Sequence, residues 1–234
     1  MARPPRHTTT GVGAPPGTGR TVQIQQDNSE VPVTVKPFDF ADPLDIFERQ
    51  LPHWRQDGCA YFVTCHLGDS LPGGLLRLWN EVRQNWLKHR PLPWSQEVTR
   101  EYKERFTEAM ERHLNAGAGC CVLRKQSCAQ SLVDTLLHDD GKQYDLGRFV
   151  IMPNHIHLLV VPRRDVELSE LITTWERISA RRINRLTGRH GRLWARDAYD
   201  HIVRNEKELV RIDKYIADNP VKGKLRDDQF LLGG

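Results

Sequence analysis

Two histidines, His155 and His157, stand one residue apart inside the apolar run Ile156, Leu158, Leu159 and Val160. Side chains alternate between faces along a strand, so this spacing sets both imidazoles on one side and Ile156, Leu158 and Val160 on the other. Two adjacent imidazoles can chelate one divalent ion, and they can equally serve as hydrogen-bonding groups on a sheet face. Tyr215 and Asn219 lie four residues apart in a stretch of helical periodicity and so share a helix face. If that face packs over the histidines, the amide of Asn219 can complete a metal shell while the phenol of Tyr215 sits beside the ion. Both residues have ordinary uses too: Tyr215 can pack with Ile212 and Ile216, and Asn219 can end a helix before Pro220.

A third cluster concerns charge. Arg177, Arg181, Arg182, Arg185, Arg189, Arg192 and Arg196 fall in a short segment whose only acids are Glu176 and Asp197. Such a stripe can contact phosphates, and the nearby Trp194 and Tyr199 offer rings for stacking on unpaired bases; a solvated basic helix face has the same pattern.

These groups need a strand for the histidines and a helix for the tyrosine. The aromatic and β-branched run from Ala60 to Leu67, broken by Gly68 and Pro72, reads as a first strand. Lys142 to Ile151 and His155 to Val161 read as an antiparallel pair joined by Met152, Pro153 and Asn154, and Tyr199 to Val203 as a fourth strand. Helical spacing runs over Gly74 to His89, Gln96 to Leu114, Gln126 to Leu137, Glu167 to Leu186 and Glu206 to Asp218, the last closed by Pro220. Leaving the helical insertions aside, the order is strand, helix, strand, strand, helix, strand, helix. That order predicts an α+β fold of ferredoxin-like split βαβ type: an antiparallel sheet with helices on one face plus a C-terminal helix that carries Tyr215.

The chain has 234 residues, enough for one domain of ordinary size with tails. We expect a disordered arm over residues 1–45, rich in Pro, Gly, Thr and Gln, a domain over 46–228 with a helical insertion at about 74–137, and a tail over 229–234. The net charge of +4 is too mild to prove a polyanionic partner, so the local arginine stripe carries that argument. The cysteines, Cys59, Cys65, Cys120, Cys121 and Cys128, are odd in number and lack C-x-x-C spacing, which fits packing thiols in a reducing interior. No run approaches the roughly 18 apolar residues of a membrane span, and the N-terminus lacks a signal peptide's apolar core, so the expectation is a soluble intracellular protein.

Four stretches occur in order: Met152-Pro-Asn-His-Ile-His-Leu-Leu-Val160, Ser179-Ala-Arg-Arg-Ile-Asn-Arg-Leu186, Leu193-Trp-Ala-Arg-Asp-Ala-Tyr-Asp-His-Ile-Val203 and Tyr215-Ile-Ala-Asp-Asn-Pro-Val-Lys222. Together they resemble the REP-associated tyrosine transposases, relatives of the IS200/IS605 transposases, over roughly residues 58 to 225. The resemblance implies a His-hydrophobic-His nuclease and strand-transferase that acts on single-stranded DNA near hairpins of repeated extragenic palindromes, in the bacterial cytoplasm beside the nucleoid. It makes His155, His157 and Asn219 ligands of Mg²⁺ or Mn²⁺ and Tyr215, rather than Tyr199, the nucleophile of a 5′-phosphotyrosine intermediate. Lys222 joins the arginines as a DNA contact. Where relatives commonly read Asn-Pro-Val-Lys-Ala-Gly-Leu, this chain has Gly223-Lys224-Leu225. Transposases of the wider group work as dimers with shared sites, whereas the REP-associated branch can act as monomers; a catalytic monomer is the expectation. The competing function is a non-catalytic hairpin-binding module of the same fold, and a third is a hydrolase that activates water. No base for Tyr215 is apparent from spacing.

Overall fold

The computed structural model describes residues 45–48, 52–90, 94–196 and 198–234. The arm expected over residues 1–45 lies outside them apart from Asp45. The described chain opens on a hairpin of β1 (Asp45–Glu48) and β2 (Pro52–Arg55), which the sequence pattern did not suggest.

Five further strands form one antiparallel sheet: β3 (Tyr61–His66), β4 (Tyr144–Ile151), β5 (His155–Pro162), β6 (Tyr199–Ile202) and β7 (Leu231–Gly233). Their order across the sheet is β6-β3-β5-β4-β7. Without β7 this is the ferredoxin-like arrangement, with the first and third strands of the unit at the centre. β5 therefore lies between β3 and β4, where Thr64 pairs with His157, and Val150 pairs with His157 from the other side.

Alternation along these strands divides the core into two layers. Tyr61, Val63, Cys65, Ile156, Leu158 and Val160 pack with Leu132 and Leu136 of α4 (Gln126–Leu136) and with Leu171 and Trp175 of α5 (Leu168–Thr187). Phe62, Val150, Leu159 and Val161 pack on the other side with Leu209, Ile212 and Ile216 of α6 (Glu206–Lys222). Burying each such side chain is worth about 1.5–3 kcal/mol, so both helix pairings are held by their apolar stripes. The histidines share the parity of Leu159 and Val161, and this puts them in the α6 layer.

Four expectations need correction. The helix at Gln126–Leu136 is a core layer against α5, with Cys128, Leu132 and Leu136 buried, and is not part of the helical insertion. The insertion comprises α1 (Gly73–Lys88), α2 (Gln96–Tyr102), a π-helical turn (Lys103–Thr107) and α3 (Glu108–Asn115), so the single helix expected over Gln96 to Leu114 is interrupted. Its own small core is aromatic: Trp86 meets Phe106 at 5.6 Å and Arg83 donates from Nε to Tyr102 Oη at 2.6 Å. Pro220 lies inside α6, which continues to Lys222; so near the helix end its missing N–H costs one amide donor, and Gly223 N still donates to Asn219 O at 2.9 Å. The expected C-terminal tail forms β7 on the exposed edge of β4, pairing Leu232 with Val150.

Candidate metal and tyrosine centre

His155 and His157 are both fully buried, with ring centroids 4.7 Å apart. Each ring is oriented through Nδ1. Asn154 donates from Nδ2 to Leu114 O at 3.2 Å and Ala118 O at 3.0 Å, which turns its Oδ1 toward His155 Nδ1 at 2.8 Å. An amide oxygen only accepts, so His155 carries its proton on Nδ1 and presents the Nε2 lone pair to the site. Burial, then the neighbouring His157, holds the His155 imidazole well below its usual pKa, against the opposing pull of Glu111. A neutral imidazole is the ligand form. His157 is set by Thr64 Oγ1, 2.8 Å from its Nδ1, and Phe62 stacks on its ring at 5.4 Å.

α6 carries the second half. Asn205 caps it by accepting from Glu208 N, and the apolar stripe Leu209, Ile212 and Ile216 presses it on the sheet. One helical turn then brings Tyr215 and Asn219 over the histidines. The Tyr215 ring lies 5.5 Å from His157 and 5.8 Å from Phe62, and the ammonium of Lys222 sits 4.2 Å above its centroid. Asn219 is fully buried, and its amide faces His155 and Tyr215.

A residue that sequence reasoning missed completes the cluster. Glu111, on α3, has Oε2 3.3 Å from His157 Nε2, and ligand atoms of Glu111, His155 and His157 all lie within 4.8 Å of one another. The close approach lacks the alignment of a hydrogen bond. Burial pushes the Glu111 carboxyl up, but His157 beside it, aided by His155 and Tyr215, outweighs this and brings it down to about 2. Burial first, and then the Glu111 carboxylate, push the Tyr215 phenol far above its ordinary value. The spacing of Glu97, Glu101, Glu104, Glu108 and Glu111 reads as a solvated helix face, and nothing in it marks the last as different.

Six buried polar atoms converge here without a hydrogen-bond partner: Nε2 of His155 and His157, Oε2 of Glu111, Oη of Tyr215, and Oδ1 and Nδ2 of Asn219. Leaving a buried polar group unmatched costs about 1–3 kcal/mol, so such a concentration belongs to a site that takes a ligand. Two imidazole nitrogens, a carboxylate and an amide oxygen are a donor set suited to a divalent ion such as Mn²⁺, and the residues fit the group that the sequence suggested.

Tyr215 and Glu111 open onto a groove of about 1570 Å³ between the insertion and α6. Arg83, Arg100, Arg204, Arg211, Lys222 and Lys224 line it together with Trp94, Tyr102 and Tyr199. The arginine stripe lies elsewhere. Arg177, Arg181, Arg182 and Arg185 stand exposed on α5, in the layer behind the sheet, and Arg182 donates to Thr135 Oγ1 at 3.2 Å. Arg189, Arg192 and Arg196 are exposed on the loop to β6, which runs along the end of β3 where Ala195 N bonds His66 O. Trp194, expected as a stacking ring, is instead buried, with Nε1 bonded to Ser179 Oγ at 2.9 Å, because the Leu67–Trp194 bridge draws it into the α5 layer. Among the described residues no helix is long and apolar enough to cross a membrane.

Comparison with known proteins follows the same segment. The family model "Transposase IS200 like" matches residues 126–219. A solved structure of a REP-associated tyrosine transposase bound to a REP hairpin is similar over 75% of this chain and 74% of that chain, with 16% identity and a TM-score of 0.40. Among curated proteins none matches the sequence. The matched segment contains His155, His157, Tyr215 and Asn219, and over it the chain is similar to the IS200-like transposases.

Proposed function

We propose that the protein is a metal-dependent single-stranded DNA endonuclease and strand-transferase acting on hairpin, REP-like DNA, with Tyr215 as nucleophile. The observation that carries this reading is the convergence of the Tyr215 hydroxyl with unpartnered imidazole, carboxylate and amide atoms beside a groove lined by cations, acids and aromatic rings.

His155, His157 and Asn219 would hold the ion, as the ordered motifs imply, with Glu111 beside them. A bound Mg²⁺ or Mn²⁺ would act as Lewis acid toward the scissile phosphate and offset the carboxylate charge that keeps the phenol protonated. Lys222, over the ring of Tyr215, favours the phenolate over the neutral phenol. The Tyr215 oxygen attacks phosphorus, the bond to the 3′ oxygen breaks, and the products are a 5′-phosphotyrosyl ester and a 3′-hydroxyl. Because this exchanges one phosphodiester for another, a second 3′-hydroxyl can reverse it onto a new strand without ATP.

The groove offers cations for a backbone and Trp94, Tyr102 and Tyr199 as aromatic surface for unpaired bases, while the exposed arginines of α5 and its following loop would hold a folded stem. The proposed catalytic unit is a monomer, in which one chain supplies His155, His157, Asn219 and Tyr215. The absence of a membrane-length helix among the described residues is compatible with work in the bacterial cytoplasm.

The test is a hairpin oligonucleotide labelled at its 3′ end, incubated with Mn²⁺ and resolved on denaturing gels. Wild type should give a covalent protein–DNA band that Tyr215→Phe abolishes and His157→Ala strongly reduces. Cleavage that survives Tyr215→Phe would assign the reaction to water, and binding without cleavage would leave a recognition module.

A further inference from the structure

We infer that Glu111 is a direct ligand of the bound cation, so that the metal ties the helical insertion to the catalytic sheet and its loading sets the wall of the DNA groove. The inference rests on the metal-site reading above and deepens it: the ion is a structural rivet for the insertion as well as a participant in cleavage.

The motifs supply two imidazoles and an amide, all from β5 and α6. Glu111 arrives from a different part of the chain, on α3. Its Oε2 is 3.3 Å from His157 Nε2 and has no aligned hydrogen-bond donor, although α3 is firmly fastened beside the site. The fastening is visible at the helix end. Leu114 O and the following Ala118 O both accept from Asn154, the residue that orients His155. Gly117 and Gly119 have φ of +70° and +88°, a region glycine enters freely, and a Cβ on Gly119 would stand 2.6 Å from Asp69 O. That turn lets the chain leave α3 close beside the site, with Cys120 N bonded to Asp69 Oδ2 at 3.0 Å. Glu111 and Leu114 are three residues apart and face the sheet together. The latch therefore holds Glu111 at the histidines, and both of its contacts depend on the residue before His155.

A carboxylate held to a histidine only by charge would feel the ion's field without fixing the position of α3. A carboxylate ligand has two consequences. It lowers the charge of the loaded site by one and adds a hard oxygen donor, while the two imidazole nitrogens keep the set suited to Mn²⁺ rather than Ca²⁺. It also makes the position of α3, and so the groove wall that α2 and α3 form, respond to the ion.

Mn²⁺ binding to the full chain, measured by calorimetry and by loss of the free-ion EPR signal, tests this together with hydrogen exchange over residues 96–119. Glu111→Gln keeps the shape and removes the charge; it should bind Mn²⁺ at least about tenfold more weakly, and the slowing of exchange that Mn²⁺ causes in wild type should disappear. Glu111→Ala should behave alike, and thermal melting of both without metal should stay cooperative. Wild-type affinity and exchange in both variants, with Mn²⁺ binding lost in His157→Ala, overturns the role of Glu111 and leaves the histidine site standing. Wild-type Mn²⁺ binding in His157→Ala overturns the metal reading beneath it.

Discussion

The Oδ1 atom of Asn154 lies 2.8 Å from Nδ1 of His155, while its own Nδ2 is shared between the carbonyls of Leu114 and Ala118. One amide thus decides which nitrogen of His155 faces the site and also latches the end of α3. Asn154→Ala should therefore weaken Mn²⁺ binding by about 10- to 100-fold, in the range expected for residues that orient metal ligands. Calorimetric titration of the full chain measures it; unchanged affinity would mean that His155 is oriented without Asn154.

Lys222 stands 4.2 Å over the Tyr215 ring. A cation–π contact of roughly 1 kcal/mol, felt more by the phenolate than by the phenol, corresponds to about fivefold in rate. Lys222→Ala should slow covalent adduct formation by about that factor at saturating DNA and move the rate's rise with pH to higher pH. A change confined to DNA affinity would assign Lys222 to the strand alone.

Glu208 accepts from Arg204 N at 2.9 Å and pairs with His201 Nε2 at 3.2 Å. Burial raises its carboxyl, but His201 and the Arg204 amide outweigh that and lower it from 4.5 to about 2. A group depressed in the folded state adds stability above its unfolded pKa and loses it as pH falls through the folded one. Glu208→Ala should destabilise the protein by about 1–2 kcal/mol near pH 7, and its melting temperature should converge with that of wild type as pH drops from about 4.5 toward 2. A constant gap across that range would show that the pair is not the source.

Arg181 and Arg185 are exposed on α5, on the far side of the sheet from Tyr215. Replacing either with Ala should weaken binding of a hairpin and lower the salt dependence of log K by about 1 per arginine that meets a phosphate. The rate of adduct formation at saturating DNA should not move. A fall in that rate with unchanged binding would place these arginines in the chemistry instead.

Much of this architecture was legible locally. The alternation around His155 and His157 predicted a strand with both imidazoles on one face, and the four-residue step from Tyr215 to Asn219 predicted a shared helix face. Both rest on backbone periodicity, which any segment carries within itself. The stripe Leu209, Ile212 and Ile216 marked the buried side of α6 in the same way.

Elements whose place depends on a distant partner were read less well. Gln126–Leu136 has the spacing of any amphipathic helix, and only its packing on Leu171 and Trp175 distinguishes a core layer from an insertion. β7 exists because β4 had an open edge to pair with. Trp194 resembled a stacking ring until the bridge to Leu67 buried it.

The sequence by itself determined the chemical types and the local faces of His155, His157, Tyr215 and Asn219, because strand and helix periods act over a few residues. Only the tertiary structure decided that Glu111, 44 residues before His155, would come within 3.3 Å of His157, and that the arginine stripe would lie behind the sheet. Those placements follow from which layers bury which apolar faces and from one asparagine that latches α3, and such long-range pairings have no signature in the spacing of the residues they join.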